Sequence, residues 1–449
     1  MQELKKLQNK KIAILGLGLE NLALVKYILN KKINCEITVC DSRGRKELDE
    51  KYKELNKKGS NIKWQLGKNY NKNFYKFDIL FRSPGWPISK VKSQKLKVKS
   101  CLSSPMQLFF ELCPTKNIIG VTGTKGKGTT SSLIYKILCA AGKQVWLGGN
   151  IGMAPFDFFV KIKKTDWVVL ELSSFHLEDM AISPHISVIT NFYPEHLTPT
   201  DPNNPNFHKS LKDYYSAKLN ISKWQKKGDW TILNFKLQIN TDCHALITRL
   251  TMTKKAKIIY FKKSELSSQL IGEHNKENIA AAVKVAKIVG VKQEAIKKAI
   301  ANFKSLPHRL EFVKNIREVK YYDDSFATMP ESTIIALKSF NQPIIILLGG
   351  ADKRADFKDL AAEVKKRCKF VVLLNGKATP MIQKELLKIK FNKNKTKLVD
   401  NIKDAVVTAY QHAIQSDIVL LSTACASFGM FKNYKERGDL FKAEVKKIK

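Results

Sequence analysis

The chain runs to 449 residues, 44% of them hydrophobic, and carries a formal charge of +39. Such a length supports two or three domains with separate cores, and such an apolar fraction excludes an intrinsically disordered chain. The positive excess is almost all lysine, spread from KKLQNKK to EVKKIK without interleaved aromatics, so it reads as a solvated surface and not as a nucleic-acid footprint.

Eight cysteines (35, 40, 101, 113, 139, 243, 368 and 425) include no C-x-x-C pair, which argues against a zinc site and against a secreted disulfide scaffold. MQELKKLQNK lacks a signal-peptide pattern, and no apolar run reaches the length of a membrane span. A reduced, cytoplasmic protein without a membrane partner is expected.

The first strand is KIAIL; GLGLEN turns it into the helical pattern LALVKYILNKK, and a second strand, EITVCD, ends on Asp41. Strand, glycine turn, helix, strand and acidic residue open a nucleotide-binding α/β unit. Gly16 and Gly18 fit the dinucleotide fingerprint, but Asn21 stands at its third glycine, so a ligand site and a plain strand-to-helix turn both stay open. FDILFRSPGWPI (77–88) is a further strand closed by a Ser-Pro-Gly turn, and the lysine-rich stretch 90–100 reads as a link.

The second unit starts with the strand NIIGVTG and passes through GVTGTKGKGTT (120–130) into the helical pattern SSLIYKILCAAGK. The loop breaks the standard phosphate-loop pattern twice: Val121 stands at its first glycine, and Gly128 at the hydroxyl after the lysine. Its setting still supplies backbone N–H groups, a helix N-terminus and a lysine. Gly123, Gly126 and Gly128 let the backbone approach an anion, Lys127 can bridge terminal phosphates, and Thr129 or Thr130 becomes the candidate magnesium ligand. VLELSSFHLE (169–178) places Glu171 and Ser173 at a strand end, an oxygen set suited to magnesium, and NFYPEHLT adds Glu195 and His196 at another. A long helix at NKENIAAAVKVAKIVG follows, and the alternation argues for a mostly parallel sheet. A third unit after LPHRLEF (306–312) carries the strands PIIILLGG, KFVVLLNG and DIVLLSTA, separated by helical patterns.

Taken together, the ordered fragments resemble the Mur ligases nearly end to end. They are GLGLEN and SPG; TGTKGKGTT, GGNIG, LELSSFHLE, EHLT, AKL and GEHNKENIAAA; then LPHRLEF, DDSFATMPEST, LLGGADKRADF and LLSTACASFGMFKNYKERGDLF. The resemblance implies an α/β fold in three domains: a Rossmann-like UDP-substrate domain (1–95), a central P-loop ATPase-type domain (96–304), and a C-terminal Rossmann-like domain (305–449). It implies an ATP-dependent, amide-bond-forming ligase of peptidoglycan precursor synthesis that acts as a monomer on small molecules. The carboxylate of UDP-N-acetylmuramoyl-L-alanine would attack the γ-phosphate of ATP, and the amine of D-glutamate would displace phosphate from the acyl phosphate.

Carried over by the same resemblance, Gly123, Thr124, Lys125, Gly126, Lys127, Gly128, Thr129 and Thr130 wrap ATP, and Asn275, Asn278, His308, Arg309 and Asp324 contact the nucleotide. Lys127, His196 and Lys218 match the catalytic positions; Thr129 and Glu171 would serve one magnesium, beside the Ser173 hydroxyl already read as a candidate ligand, and His196 and Lys218 a second, with Lys218 carbamylated. Gly16, Gly18, Asp41, Ser42, Arg43 and Gly85 match the uridine-diphosphate pocket, and Asn150 lies at the muramoyl-alanine arm. Thr328, Lys353, Ser427, Phe428 and Tyr434 match the pocket for the incoming amino acid.

Four positions depart from the family pattern. Gly128 replaces a hydroxyl, as in the folylpolyglutamate synthetase loop; Lys125 replaces an asparagine; Phe326 replaces a lysine; and Met329 replaces an asparagine. The nearest rival reading is a folylpolyglutamate synthetase-like ligase, opposed by the complete first domain and the C-terminal motifs. A nicotinamide-dependent dehydrogenase using GLGLEN would leave the phosphate loop without a purpose. A nucleic-acid-binding P-loop protein rests on charge alone.

Overall fold

A computed structural model describes residues 2–57, 61–92, 101–198, 205–239, 256–353 and 355–448. Three sheets organise them. The first holds β1 (Lys11–Leu15), β2 (Glu36–Asp41), β3 (Lys63–Leu66), β4 (Ile79–Arg82) and β5 (Cys101–Ser103), all parallel, in the order β3-β2-β1-β4-β5. The second holds β6 (Ile118–Thr122), β7 (Val145–Gly149), β8 (Trp167–Glu171), β9 (Ile186–Ile189), β10 (Trp230–Asn234) and β11 (Lys257–Phe261), again all parallel, in the order β11-β10-β9-β6-β8-β7. In the third, β12 (Glu311–Ile316), β13 (Val319–Asp323), β14 (Ile344–Leu348), β15 (Cys368–Leu374), β16 (Thr396–Val399) and β17 (Ile418–Leu421) run β12-β13-β17-β14-β15-β16, and β12 alone is antiparallel to its neighbour.

Central strands such as β6 (IIGVT) and β14 (IIILL) are buried at every residue, which is what helices on both faces of a parallel sheet require. The expected strands and the helices Leu19–Asn30, Lys127–Ala140 and Glu273–Ile288 are present.

Two compact units result: residues 1–266 with 277–300, and residues 267–276 with 301–449. The first two sheets share the first unit, and one apolar cluster runs from Leu7 through Phe109 and Phe158 to Leu237. Strand β5 pairs with β4 and so carries the first sheet past the boundary expected at 95/96, a point that itself lies outside the described residues together with most of the 90–100 link. Three residues, CLS, are too few to show a strand period. In the second unit, separate apolar clusters flank the two faces of the third sheet. Seven cysteines are free thiols, Cys243 lies outside the described residues, and among the described residues no helix is long and apolar enough to cross a membrane.

Candidate active site

In the first sheet the glycine turn lies between the carboxyl ends of β1 and β2. Gly16 adopts φ +79, and a β-carbon there would lie 2.6 Å from Ser83 Oγ, so only glycine fits beside the Ser-Pro-Gly turn. Gly18 caps the helix Leu19–Asn30. Asn21, buried, donates through Nδ2 to the carbonyls of Gly16 (2.7 Å), Leu15 (3.2 Å) and Phe81 (3.3 Å). The residue that breaks the fingerprint thus fastens the turn to two strands. Asp41 accepts from the Leu17 amide at 2.7 Å and from Arg43 Nε and Nη2 at 2.9 and 2.7 Å. Burial alone would raise its carboxyl, but the Arg43 fork and the amides of Arg43 and Leu17 hold it below its ordinary range. Asp41, Ser42, Arg43, Gly16, Gly18 and the turn bearing Gly85 therefore border one end of this sheet.

In the second sheet the phosphate loop joins β6 to the helix Lys127–Ala140. Neighbouring chain holds its backbone closely. The Asn191 carbonyl accepts from Thr124 N at 2.9 Å, Asn191 Oδ1 accepts from Lys125 N at 2.8 Å, and Thr190 Oγ1 donates to the Lys125 carbonyl at 2.6 Å. The Thr124 hydroxyl is turned inward, 3.0 Å from the Tyr214 hydroxyl. Gly126, at φ +83, caps the helix, and Thr130 Oγ1 donates to Asn278 Oδ1 at 3.3 Å. Lys127 Nζ donates to the Thr124 carbonyl at 2.9 Å, so its ammonium sits over the loop.

Lys218, fully buried, donates from Nζ to the Gly123 carbonyl at 2.9 Å and lies 4.6 Å from the Tyr214 ring centroid. Burial, and then the charge of Lys127, push its ammonium well below the ordinary lysine range. Lys125 Nζ pairs with Glu195 Oε1 at 3.0 Å, and Glu195 Oε2 lies 3.7 Å from His196 Nε2. Burial would raise Glu195, but Lys125, His196 and Lys127 hold its carboxyl below the usual range; burial lowers His196 against the pull of Glu195. Glu171 ends β8 and accepts from Asn150 Nδ2 at 3.0 Å. Ser173, expected among the metal ligands, caps the helix Ser174–Leu177. Its hydroxyl accepts from His176 N at 3.2 Å and lies 2.9 Å from His176 Nδ1. A serine directly before a short helix is a natural cap.

In the second unit Asp324, directly after β13, accepts from the Leu310 amide at 3.2 Å and from the Ser422 hydroxyl at 2.8 Å. Burial pushes its carboxyl up to about 7. His308 Nδ1 lies 2.7 Å from Asp323 Oδ2, and the His308 amide donates to Glu311 at 2.9 Å. His308, Glu311 and Asp323 form the one cluster among the described residues with metal-ligand spacing. Lys442 Nζ already stands 3.1 Å from Glu311 and 4.0 Å from Asp323, so the cation of this cluster is an ammonium. Arg309 stacks on Phe326, and Tyr434 begins the helix Tyr434–Lys447. A bridge between Ala351 and Ala426 brings the loop carrying Lys353 beside the loop carrying Ser427 and Phe428, while Thr328 lies half-buried before the helix Pro330–Leu337. Asn275 Nδ2 donates to the Ile271 carbonyl at 2.7 Å.

Sequence patterns did not single out Asn191, Tyr214 or Arg82. Asn191 lies two residues beyond β9 (Ile186–Ile189), at the carboxyl end where an open parallel sheet presents side chains to its ligand, and this placement is the available signal.

Three Mur ligase families match successive parts of the chain: the MurD-like N-terminal domain at residues 10–101, the middle domain at 121–259, and the glutamate ligase domain at 308–425. A UDP-N-acetylmuramoylalanine--D-glutamate ligase of Acetivibrio thermocellus is 37% identical over 471 aligned residues, spanning 99% of this chain and 98% of the relative. MurF from Acinetobacter baumannii superposes with a TM-score of 0.60 at 15% identity, over 99% of this chain and 98% of that one. The E. coli FolC structure in complex with DHPP and ADP reaches 0.54 at 16% identity but covers only 75% of this chain and 90% of its own. Both structural likenesses concern the fold alone.

Proposed function

The chain belongs to the Mur ligase family, and we propose that it joins D-glutamate to UDP-N-acetylmuramoyl-L-alanine at the expense of ATP, forming an amide bond in peptidoglycan precursor synthesis. The observation that carries this reading is the 37% identity to a D-glutamate ligase across 99% of the chain, first sheet included. The folylpolyglutamate reading lacks that support, since the folate enzyme's likeness stops at 75% of the chain.

The chemistry brings a carboxylate against a polyphosphate, and both are anions. The site must therefore supply cations and alignment more than a strong base. Lys127 and the amides opening its helix hold the β- and γ-phosphates of ATP, and Gly126 and Asn278 keep the loop open for them. The family resemblance assigns Arg309, Asp324, His308, Asn275 and Asn278 to the nucleotide. Asp41, Ser42 and Arg43, with Gly16, Gly18 and Gly85, hold the uridine diphosphate, and Asn150 the muramoyl-alanine arm. Thr328, Lys353, Ser427, Phe428 and Tyr434 receive the amino acid.

Magnesium fits part of the expected set. The Thr129 hydroxyl and Glu171 carboxylate are hard oxygen donors of the kind that share this ion with phosphates and water. When bound, the ion supplies positive charge for the phosphate oxygens. An ammonium cannot ligate a metal, so Lys218 beside His196 fits only after carbamylation, in which the neutral amine adds carbon dioxide and releases a proton. Burial favours that neutral amine. The enzyme acts in the cytoplasm as a monomer.

The test is phosphate release from ATP across muramoyl and folate acceptors and a panel of amino acids. Release should require both UDP-N-acetylmuramoyl-L-alanine and D-glutamate. Release with a pteroate acceptor, and none with the muramoyl nucleotide, would overturn the reading.

A further inference from the structure

Phe326 stands where the family resemblance places a lysine, and the structure sets a guanidinium against its ring. The guanidinium carbon of Arg309 lies 3.7 Å from the ring centroid, well inside the about 6 Å reach of cation–π attraction. The Phe326 ring also meets Tyr434 nearly edge-on, with centroids 4.9 Å apart and planes at 85°.

The segment beneath the ring is firmly held. Phe326 N–H donates to the His308 carbonyl at 3.0 Å, and the Ser325 hydroxyl donates to the Tyr434 carbonyl at 2.8 Å. Fully buried Arg437 donates from Nη2 to the Ser325 carbonyl at 2.7 Å. A phenylalanine left 39% exposed gains little from burial. What it offers is a fixed π face, and that face is turned to Arg309. A lysine at this place would set a like charge beside the guanidinium, whereas the ring attracts it.

We propose that Phe326 is a positioning residue that holds the Arg309 guanidinium in the orientation used to contact the nucleotide. The departure from the family then converts a position of charge into one that aims a neighbouring arginine. The proposal rests on the assignment of Arg309 to the nucleotide made above.

Steady-state phosphate release by the full chain tests it with Phe326→Leu, Phe326→Tyr, Arg309→Ala and the Arg309→Ala/Phe326→Leu double variant. Phe326→Leu should raise KM for ATP by about two- to five-fold, the range of an exposed cation–π contact, with a smaller change in kcat and in KM for D-glutamate. Phe326→Tyr keeps the ring face and should restore the parent KM. The double variant should match Arg309→Ala alone, because the ring acts through that arginine. Phe326→Lys should weaken ATP at least as much as leucine does. Thermal unfolding confirms folding, and Phe326→Met repeats the measurement should leucine not fold.

An unchanged KM for ATP in Phe326→Leu, additive effects in the double variant, or a lowered KM for D-glutamate in Phe326→Lys would overturn the proposal. If Arg309→Ala itself leaves KM for ATP unchanged, the nucleotide assignment fails, and the proposal with it. If Arg309→Ala moves KM and Phe326→Leu does not, the proposal alone fails.

Discussion

Gly126 and Asn278 approach so closely that a β-carbon at residue 126 would lie 2.2 Å from Asn278 Oδ1. Asn278 is buried and accepts from Thr130, so its carboxamide has no slack to give. Gly126 also sits at φ +83, where a side chain costs about 1 kcal/mol before any clash. Gly126→Ala should therefore displace the loop from Asn278 and lower kcat/KM for ATP by at least about tenfold, since misplacement near 1 Å at a phosphate site is costly. Thermal unfolding should shift by only a few degrees. Parent-like kinetics in a folded variant would show that the loop tolerates the displacement.

Lys125 is a second point where loop chemistry can be measured. Its ammonium is bound to Glu195, and both side chains are about one-third exposed (33% and 30%). An ion pair at that exposure contributes at most about 1 kcal/mol. Lys125→Asn should accordingly leave the unfolding midpoint nearly unchanged and raise KM for ATP less than about threefold, because Glu195 already offsets the charge. A rise of tenfold or more would mean that Lys125 leaves Glu195 and binds phosphate directly.

The sequence made the site's primary anchors visible because they sit where period and punctuation are strongest. IIGVT, WVVLE and IIILL are fully or almost fully buried parallel strands, and the glycine turns after β1 and β6 follow such runs. The scaffold around them was not legible. Asn191 reaches Lys125 across 66 positions and Tyr214 reaches Thr124 across 90, and no local pattern encodes such pairs. Hairpin β12–β13 also escaped, because its two-residue turn uses Arg317 and Glu318 at φ 49 and 63, where Asn-Gly would have been the signal. The cap that Ser173 supplies to the helix Ser174–Leu177 is likewise a contact that only the fold displays.

Asp324 predicts a pH dependence. Its carboxyl rises from an ordinary 3.8 to about 7, chiefly through burial, with Asp323 adding to the rise and Ser422, the Leu310 amide and Arg309 opposing it. A raised carboxyl pKa means that the folded chain holds a proton the unfolded chain has lost. The penalty is absent below about pH 4, grows between pH 4 and 7, and is complete above 7, where it amounts to about 4 kcal/mol. Asp324→Asn removes it. The variant should match the parent in denaturant unfolding near pH 4 and exceed it by up to a few kcal/mol at pH 8, while KM for ATP rises. A stability difference independent of pH would mean that Asp324 does not titrate in this range.

Arg82 shows how much of the first unit depends on one buried cation outside the reacting groups. Its side chain is 1% exposed. It donates from Nε to Asp179 Oδ2 at 2.7 Å, from Nη1 to the Trp86 carbonyl at 2.9 Å, and from Nη2 to the Phe175 carbonyl at 2.9 Å. The guanidinium thus ties the Ser-Pro-Gly turn of the first sheet to the helix that follows β8 of the second. Arg82→Ala would leave Asp179 as an unpaired, nearly buried carboxylate and two carbonyls without their donor, a loss of about 3–5 kcal/mol. Arg82→Lys keeps the charge but not the fork, and should fall between the two. Because Asp179 is harmful chiefly when unpaired, adding Asp179→Asn to Arg82→Ala should recover part of the loss. Unfolding by denaturant measures all three, and an Arg82→Ala variant within about 1 kcal/mol of the parent, the scale of an exposed pair, would show that water replaces the guanidinium at this junction.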